Sequence, residues 1–187
     1  AKGLFLVRVI FLSISLSHKS FIVQPAALIT IEPIKKINMI FKQQLYNQCL
    51  EFVDNRLQTI ENTIQEIQIS LTSETKSSAG DKHETGRAML QLEREKAGNQ
   101  LAEIQKTKEL LSKVNISNTF KTIGLGSVVY TSKSNYYIAI SAGELKVNND
   151  IFYAISSNTP IGQLLMGKNV GDIIKFREQE FKIKTVL

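Results

Sequence analysis

The stretch YNQCLEFVDNRLQTIENTIQEIQISL, residues 46–71, determines the architecture of this 187-residue chain. Its apolar residues recur at alternating spacings of four and three: Tyr46, Leu50, Val53, Leu57, Ile60, Ile64, Ile67 and Leu71. A heptad stripe of this length predicts an amphipathic helix. At 1.5 Å per residue the helix is about 39 Å long, and its apolar face needs a partner.

A second helical stretch, from about 82 to 114, can supply that partner. The intervening residues 72–80, TSETKSSAG, have the composition of a turn. The second stripe is weaker and consists of Leu90, Ala97, Leu101, Ile104, Leu111 and Val114, with Met89 and Leu92 on a neighbouring track. Two long helices joined by a short polar turn predict an antiparallel hairpin over 39–115, with its tip near 76–84. A coiled coil that dimerises is the alternative that periodicity leaves open.

Beyond residue 119 the pattern changes to short β-branched and aromatic segments separated by turns. Strands are expected near Ser127–Thr131, Tyr136–Ser141, Ile151–Ile155, Asp172–Phe176 and Phe181–Val186, with a tight turn at 148–150. Thr159 as N-cap, Pro160 at the first helical position and Gly167 at the end predict one short helix. The fold class is therefore α+β: a helical hairpin followed, over 119–187, by a small and mostly antiparallel sheet domain.

Residues 1–38 differ from the rest of the chain. The segment Leu4–Leu16 is apolar, but at 13 residues and with Arg8 inside it is too short to span a membrane. Five basic residues against Glu32 give this extension +4 of the net charge of +6, so the basic balance says little about nucleic acid. The periodic pattern starts just after Met39, so we expect the native protein to begin there. A secretory signal is the alternative.

Few residue types are present that could form a catalytic or metal site. Cys49 is the single cysteine, and the two histidines are His18 and His83. One cysteine excludes an intrachain disulfide, and this set does not make a zinc site. Cys49 lies beside the core position Leu50 in the first helix and is expected to be buried rather than nucleophilic.

The hairpin tip carries the one acidic pair of interest, Asp81 and Glu84, three residues apart where the second helix begins. Spacing alone favours a capping box, in which Asp81 accepts a backbone N–H and Glu84 reaches back. The functional alternative is that the two carboxylates supply oxygen ligands to a Mg²⁺ whose other ligands come from a partner.

Two stretches resemble the Gre transcript-cleavage factors, the GreA/GreB family. Residues 155–172, ISSNTPIGQLLMGKNVGD, look like the family's S-P-I-G-x-A-L-L-G-K-x-x-G-D segment, and Gly80-Asp81-x-x-Glu84 looks like the start of its G-D-L-x-E-N-A-E-Y tip. The resemblance covers about 39–187. It implies an FKBP-like C-terminal domain that docks on bacterial RNA polymerase through Thr159, Pro160, Ile161, Gly162, Gly167, Lys168, Gly171 and Asp172.

The resemblance also implies an activity. The hairpin enters the polymerase secondary channel, and Asp81 and Glu84 help to hold a second Mg²⁺, so that the polymerase hydrolyses the 3′ end of backtracked RNA. The factor has no cofactor of its own and is not an enzyme alone. It touches nascent RNA and DNA only indirectly, does not bind a membrane, and is expected to be a cytoplasmic monomer.

The tip departs from the family pattern after Glu84, where the chain reads Thr85, Gly86 and Arg87 instead of Asn-Ala-Glu. A cation beside the carboxylates weakens Mg²⁺ binding. The alternative function is therefore a secondary-channel regulator or inhibitor that does not stimulate cleavage. The remaining class is an enzyme, either a prolyl isomerase or an acyl transferase that uses Cys49. The chain has no Trp that could form the floor of an isomerase pocket.

Overall fold

The computed structural model describes residues 31–74, 81–118 and 122–187, and its N-terminal part is a long helical hairpin. Helix α1 comprises Ile31–Glu74 and helix α2 comprises Asp81–Ser112. Because α1 begins at Ile31, the boundary expected at Met39 falls inside a continuous helix. Residues 1–30 of the expected extension lie outside the described residues.

The two apolar stripes meet along the seam of the hairpin, as their periodicity predicts. The buried residues of the seam are Val53, Ile60, Ile67 and Leu71 from α1, Ala97, Ile104 and Leu111 from α2, and Val114 just after α2. The neighbouring-track residues Met89 and Leu92 are exposed. Each helix thus buries its stripe against the other, and burial of about 1.5–3 kcal/mol per large side chain stabilises the arm.

The C-terminal domain is a six-stranded sheet in the order β3-β4-β2-β1-β6-β5. Its strands are β1 Val128–Thr131, β2 Asn135–Ala139, β3 Gly143–Val147, β4 Asp150–Ser156, β5 Ile173–Phe176 and β6 Gln179–Val186. Only β2 and β4 pair in parallel. The predicted α+β class, a hairpin followed by a mostly antiparallel sheet, is confirmed. Sequence analysis missed β3, an edge strand in which only Leu145 and Val147 are buried.

Alternation along the strands sends side chains to two separate cores. On one face Val128, Tyr137, Leu145 and Phe152 join the hairpin core. On the other face Val129, Ile138, Phe181 and Ile183 pack around Leu165 of helix α3, which comprises Pro160–Leu165. The sheet therefore lies between the base of the hairpin and α3.

The junction between hairpin and sheet is densely packed. The rings of Phe41 and Phe152 meet edge to face, with centroids 5.2 Å apart. Leu45 and Cys49, which lie outside the predicted stripe, are fully buried here because this part of α1 faces the sheet as well as α2. Burial raises the pKa of the Cys49 thiol to about 12, which keeps it protonated and unreactive, as expected for a packing cysteine.

Candidate functional site

The hairpin tip is the first candidate site. Helix α2 begins at Asp81, so Asp81 and Glu84 both lie in its first turn, where the helix dipole favours negative charge. Residues three apart are neighbours on a helix surface. Glu84 is exposed, and the side chains of Asp81, Lys82 and His83 lie outside the described residues. A capping box would require hydrogen bonds of the Asp81 side chain, so the capping interpretation also concerns residues that the structure does not describe.

The residues after Glu84 change the charge of the tip. Thr85 and Arg87 are exposed, and Arg87 stands three residues beyond Glu84 on the same side of the helix. The turn residues 75–80, which include Gly80, are not described. Among the described residues no group of three or more His, Cys, Asp or Glu is arranged to hold a metal ion. Two carboxylates have the oxygen donors that Mg²⁺ prefers, but they require further ligands from a partner.

The second candidate site is the segment 159–172, whose start is determined by close backbone packing. Thr159 is the N-cap of α3: its Oγ1 accepts from the Gly162 N–H at 3.1 Å and donates to the Ser156 carbonyl at 2.7 Å. Pro160 is the first helical residue, and Ile161 is half-buried against the second core. A Cβ on Gly162 would collide with the Ser156 carbonyl oxygen. Gly162 is therefore required by the fold.

The rest of this segment forms two turns. Gly167 has a φ of 74°, and its N–H donates to the Ile123 carbonyl at 2.8 Å. Gly171 has a φ of 97°, and its N–H donates to the Ile183 carbonyl at 2.9 Å. The Asp172 carboxylate accepts from the Asn169 N–H at 2.9 Å. These predicted docking residues thus shape the segment, whereas the side chains of Pro160 and Lys168 are exposed.

The segment also presents to solvent apolar side chains that are not among the predicted docking residues. Leu164, Met166 and Val170 are exposed large apolar side chains, with Val170 at 56%. Sequence analysis did not single them out, because Leu164 and Leu165 are adjacent and pattern alone does not tell which one faces the core. The structure buries Leu165 and exposes Leu164. Large apolar side chains held at a surface by a rigid loop are typical of a protein-binding site.

A groove of about 1080 Å³ runs along one face of the arm. It is lined by Phe52, Thr59 and Thr63 of α1 and by Leu92, Lys96 and Glu103 of α2, together with the neighbouring polar residues of both helices. The side chains that line the groove do not form a reactive centre. In the described part of the chain, no helix is long and apolar enough to cross a membrane.

No protein-family model matches this chain, and no curated protein matches it. Among solved structures it is similar to one described as the structure of the transcription factor Gfh1, with 22% identity over 73% of this chain and 91% of that one. The TM-score is 0.29. A likeness at this level does not define the function of the chain. What the fold defines is a class: an α+β protein that carries a long helical arm on a six-stranded sheet.

Proposed function

We propose that this protein is a Gre-type factor whose hairpin enters the secondary channel of bacterial RNA polymerase and stimulates cleavage of backtracked nascent RNA. The observation that carries the proposal is the exposed Glu84 beside Asp81 at the far end of a long arm. From Gln48, which contacts the sheet, to Glu74, where α1 ends, the arm extends about 39 Å. A rod of this length can deliver two carboxylates to a recessed active site.

The distal part of the arm also suits insertion between protein walls. Ile69, Met89 and Leu92 are large apolar residues of the arm with exposed fractions above 60%. A rod that is only solvated gains nothing from such side chains, whereas a rod inside a protein-lined channel can bury them. We therefore expect these residues to contribute to binding rather than to the stability of the hairpin.

In this proposal Asp81 and Glu84 hold one Mg²⁺ jointly with polymerase ligands, because two carboxylates do not retain the ion alone. The ion would activate water and stabilise the charge that develops when the RNA phosphodiester is cleaved. The protein's own part is to position the two carboxylates. Reaction then occurs at the polymerase active site, and the factor is not an enzyme by itself.

The sheet domain would dock on the channel rim through the segment 159–172. The buried Gly162 and the half-buried Asp172 shape the segment, while Leu164, Met166, Lys168 and Val170 face outward. The sheet domain would bind the channel rim while the hairpin tip reaches the active site. The packed junction between hairpin and sheet would then keep the tip at a fixed distance from the rim.

The experiment is RNA cleavage in stalled, backtracked elongation complexes with Mg²⁺. The wild-type chain should shorten the RNA, and Asp81→Asn/Glu84→Gln should lose most of that stimulation while still binding polymerase. Glu95→Gln is the matched control, since Glu95 is an exposed carboxylate three turns further along the same helix. Unchanged cleavage by the double variant would contradict the tip chemistry.

A second candidate function has its own observation. The exposed Arg87 lies one turn from Glu84, and its positive charge lowers the affinity of the pair for Mg²⁺. A factor of this kind would occupy the channel without stimulating cleavage. It would displace a cleavage factor and leave the RNA length unchanged, and Arg87→Glu would increase any cleavage. Competition binding together with the cleavage assay separates the two functions.

A further inference from the structure

Strand β5 forms one edge of the sheet, and its pairing with β6 shows which of its backbone groups face outward. The Lys182 N–H donates to Ser132 Oγ at 3.1 Å and the Lys182 carbonyl accepts from the Ser132 N–H at 2.9 Å, both on the side of β6 away from β5. Lys182 therefore makes no backbone hydrogen bond to Ile173, its register partner on β5. Bonded and non-bonded pairs alternate along an antiparallel ladder, so the same holds for Lys175. The N–H and carbonyl groups of Ile173 and Lys175 consequently point away from β6.

These outward groups have no partner within the described part of the chain. β5 is the last strand in the order of the sheet, and none of the described residues hydrogen-bonds to them. Helix α3 does not cover them, because Leu165 packs with Ile174 over one face of the strand rather than beside its edge. At the opposite edge, by contrast, the Gln48 side chain binds both backbone groups of Lys146. The fold thus covers the β3 edge and leaves the β5 edge open.

The two outward residues of β5 carry one apolar and one cationic side chain. Ile173 is 66% exposed, and Lys175, two residues further along, points to the same face of the sheet and is also exposed. Across the pairing, Lys182 stands opposite Ile173 and Glu180 stands opposite Lys175. Lys175 belongs to none of the ion pairs formed by the described residues. Two lysines against one glutamate leave this face of the edge positive.

We propose that β5 binds an extended segment of a protein partner, which adds to the sheet as a further strand and places an acidic residue opposite Lys175 and an apolar residue opposite Ile173. Outward N–H and carbonyl groups at strand spacing match those of another extended backbone, and such hydrogen bonds supply the affinity in strand addition. The cross-strand neighbours supply the specificity, because opposite charges and apolar pairs that face each other are favourable. The partner segment therefore has an acidic and an apolar residue two positions apart.

A second copy of this chain fits the β5 edge less well than a partner of different sequence. In an antiparallel pair of two β5 strands, Lys175 faces Ile173 of the second copy when both outward residues are used. It faces Lys175 of the second copy when the strands slip to the next bonded pair. The first register gives the lysine no anion, and the second opposes like charges, which is destabilising. Lysine on an edge strand is also a recognised obstacle to self-pairing.

The proposal does not rest on the tip chemistry or on polymerase binding, and it is tested with the full chain alone. The measurement is amide hydrogen exchange by NMR with a capped synthetic peptide whose central residues are Glu-Val-Ile. In an antiparallel added strand, this order places Glu opposite Lys175 and Ile opposite Ile173. The peptide should slow exchange at the amides of these two residues. It should leave Ile174 and Phe176 unchanged, because their amides already bond to β6.

A peptide that is N-methylated at its Glu and Ile is the matched control for the backbone hydrogen bonds. It keeps both side chains but lacks the two backbone donors, and it should bind at least about tenfold more weakly. Equal protection of Ile173 and Lys175 by both peptides would show that no strand is added, and would overturn the proposal. The absence of any change at these two amides would overturn it as well.

Lys175→Glu tests the charge preference, and exchange at Ile174 reports that β5 stays intact in this variant. The variant should bind the Glu-Val-Ile peptide about threefold or more weakly, and a Lys-Val-Ile peptide should restore the affinity. Lys146→Glu, at the edge that Gln48 covers, should bind both peptides like wild type. Equal losses in the two variants would contradict the predicted pairing. Protection of Ile173 that increases with the concentration of the chain alone would also overturn the proposal, because a second copy would then occupy the edge.

Discussion

The side chain of Gln48 completes the edge of the sheet by hydrogen bonding to both the N–H and the carbonyl group of Lys146. Gln48 Nε2 donates to the Lys146 carbonyl at 2.9 Å, and Gln48 Oε1 accepts from the Lys146 N–H at 3.2 Å. A helix side chain thus takes the place of a neighbouring strand on β3, which is otherwise an unpaired edge. The same two bonds tie the arm to the domain.

Replacing Gln48 by alanine should therefore loosen the junction without disturbing either core. Two neutral, exposed hydrogen bonds are lost, so we expect the free energy of unfolding to fall by about 1 kcal/mol. Hydrogen exchange at the Lys146 amide should accelerate. Gln44→Ala is the control, because Gln44 is an exposed residue one turn earlier in α1. Unaltered protection of Lys146 would argue against this role.

The Tyr137 hydroxyl is buried between hairpin and sheet and has no hydrogen-bond partner among the described residues. Burial raises the pKa of Tyr137 well above its ordinary value. Because an unsatisfied hydroxyl carries a desolvation cost, Tyr137→Phe should stabilise the fold by about 1 kcal/mol in a denaturant titration. Tyr153→Phe, at an exposed ring, should be neutral. A destabilised Tyr137→Phe would mean that the hydroxyl is satisfied.

Lys42 links stability to pH. Its side chain is buried and donates to the Asn118 carbonyl at 2.7 Å, and burial lowers its pKa from 10.5 to about 8. Between pH 8 and 10.5 the unfolded chain binds more protons at this site than the folded chain does. The contribution of Lys42 to stability therefore rises with pH across this window and is unfavourable below it.

The difference in unfolding free energy between wild type and Lys42→Met, measured from pH 7 to 10.5, isolates this contribution. The comparison with Lys42→Met is needed because Cys49 also titrates in this range: its pKa is raised from 9.0 to about 12. Cys49 therefore lowers the stability of both proteins as pH rises above 9, and the subtraction removes this effect. Lys36→Met is the control for an exposed lysine of the same helix. A flat difference curve would show that Lys42 keeps an ordinary pKa.

Two glycines should respond in opposite ways to alanine. Gly162→Ala places a Cβ against the Ser156 carbonyl oxygen and should destabilise the domain by about 2–3 kcal/mol. Gly98 lies inside α2 with open space around it, so Gly98→Ala should stabilise the arm by about 1 kcal/mol. Thermal unfolding of both variants gives the comparison. Equal effects would contradict the close approach at Gly162.

The outward residues of the segment 159–172 should matter for binding and not for folding. Leu164→Ser/Val170→Ser should weaken polymerase binding by at least about tenfold, as loss of a hot spot does. Its unfolding free energy should stay within about 0.5 kcal/mol of wild type, because both side chains are exposed. Ile37→Ser/Ile151→Ser removes two exposed apolar residues elsewhere and should bind normally. Equal affinity of the two variants would exclude docking through this segment.

The heptad stripe from Val53 to Leu71 predicted a long amphipathic helix, and the short polar turn after it favoured a hairpin over a dimeric coiled coil. Periodicity could not place Leu45 and Cys49 in the core, since they lie outside the stripe and are buried in a core that the sheet also forms. Cap chemistry located α3 through Thr159 and Pro160. The edge strand β3 escaped prediction because its exposed positions are filled by polar residues and its pairing depends on β4 and Gln48.

The sequence alone determined the helical hairpin, the α+β class and the short helix, since periodicity and caps are local and each residue carries its own preference. It also singled out Asp81 and Glu84, whose spacing requires only one helical turn. Tertiary structure alone decided which residues of segment 159–172 shape it and which face outward. The physical reason is that burial and shared faces depend on packing between elements distant in sequence, which no local pattern encodes.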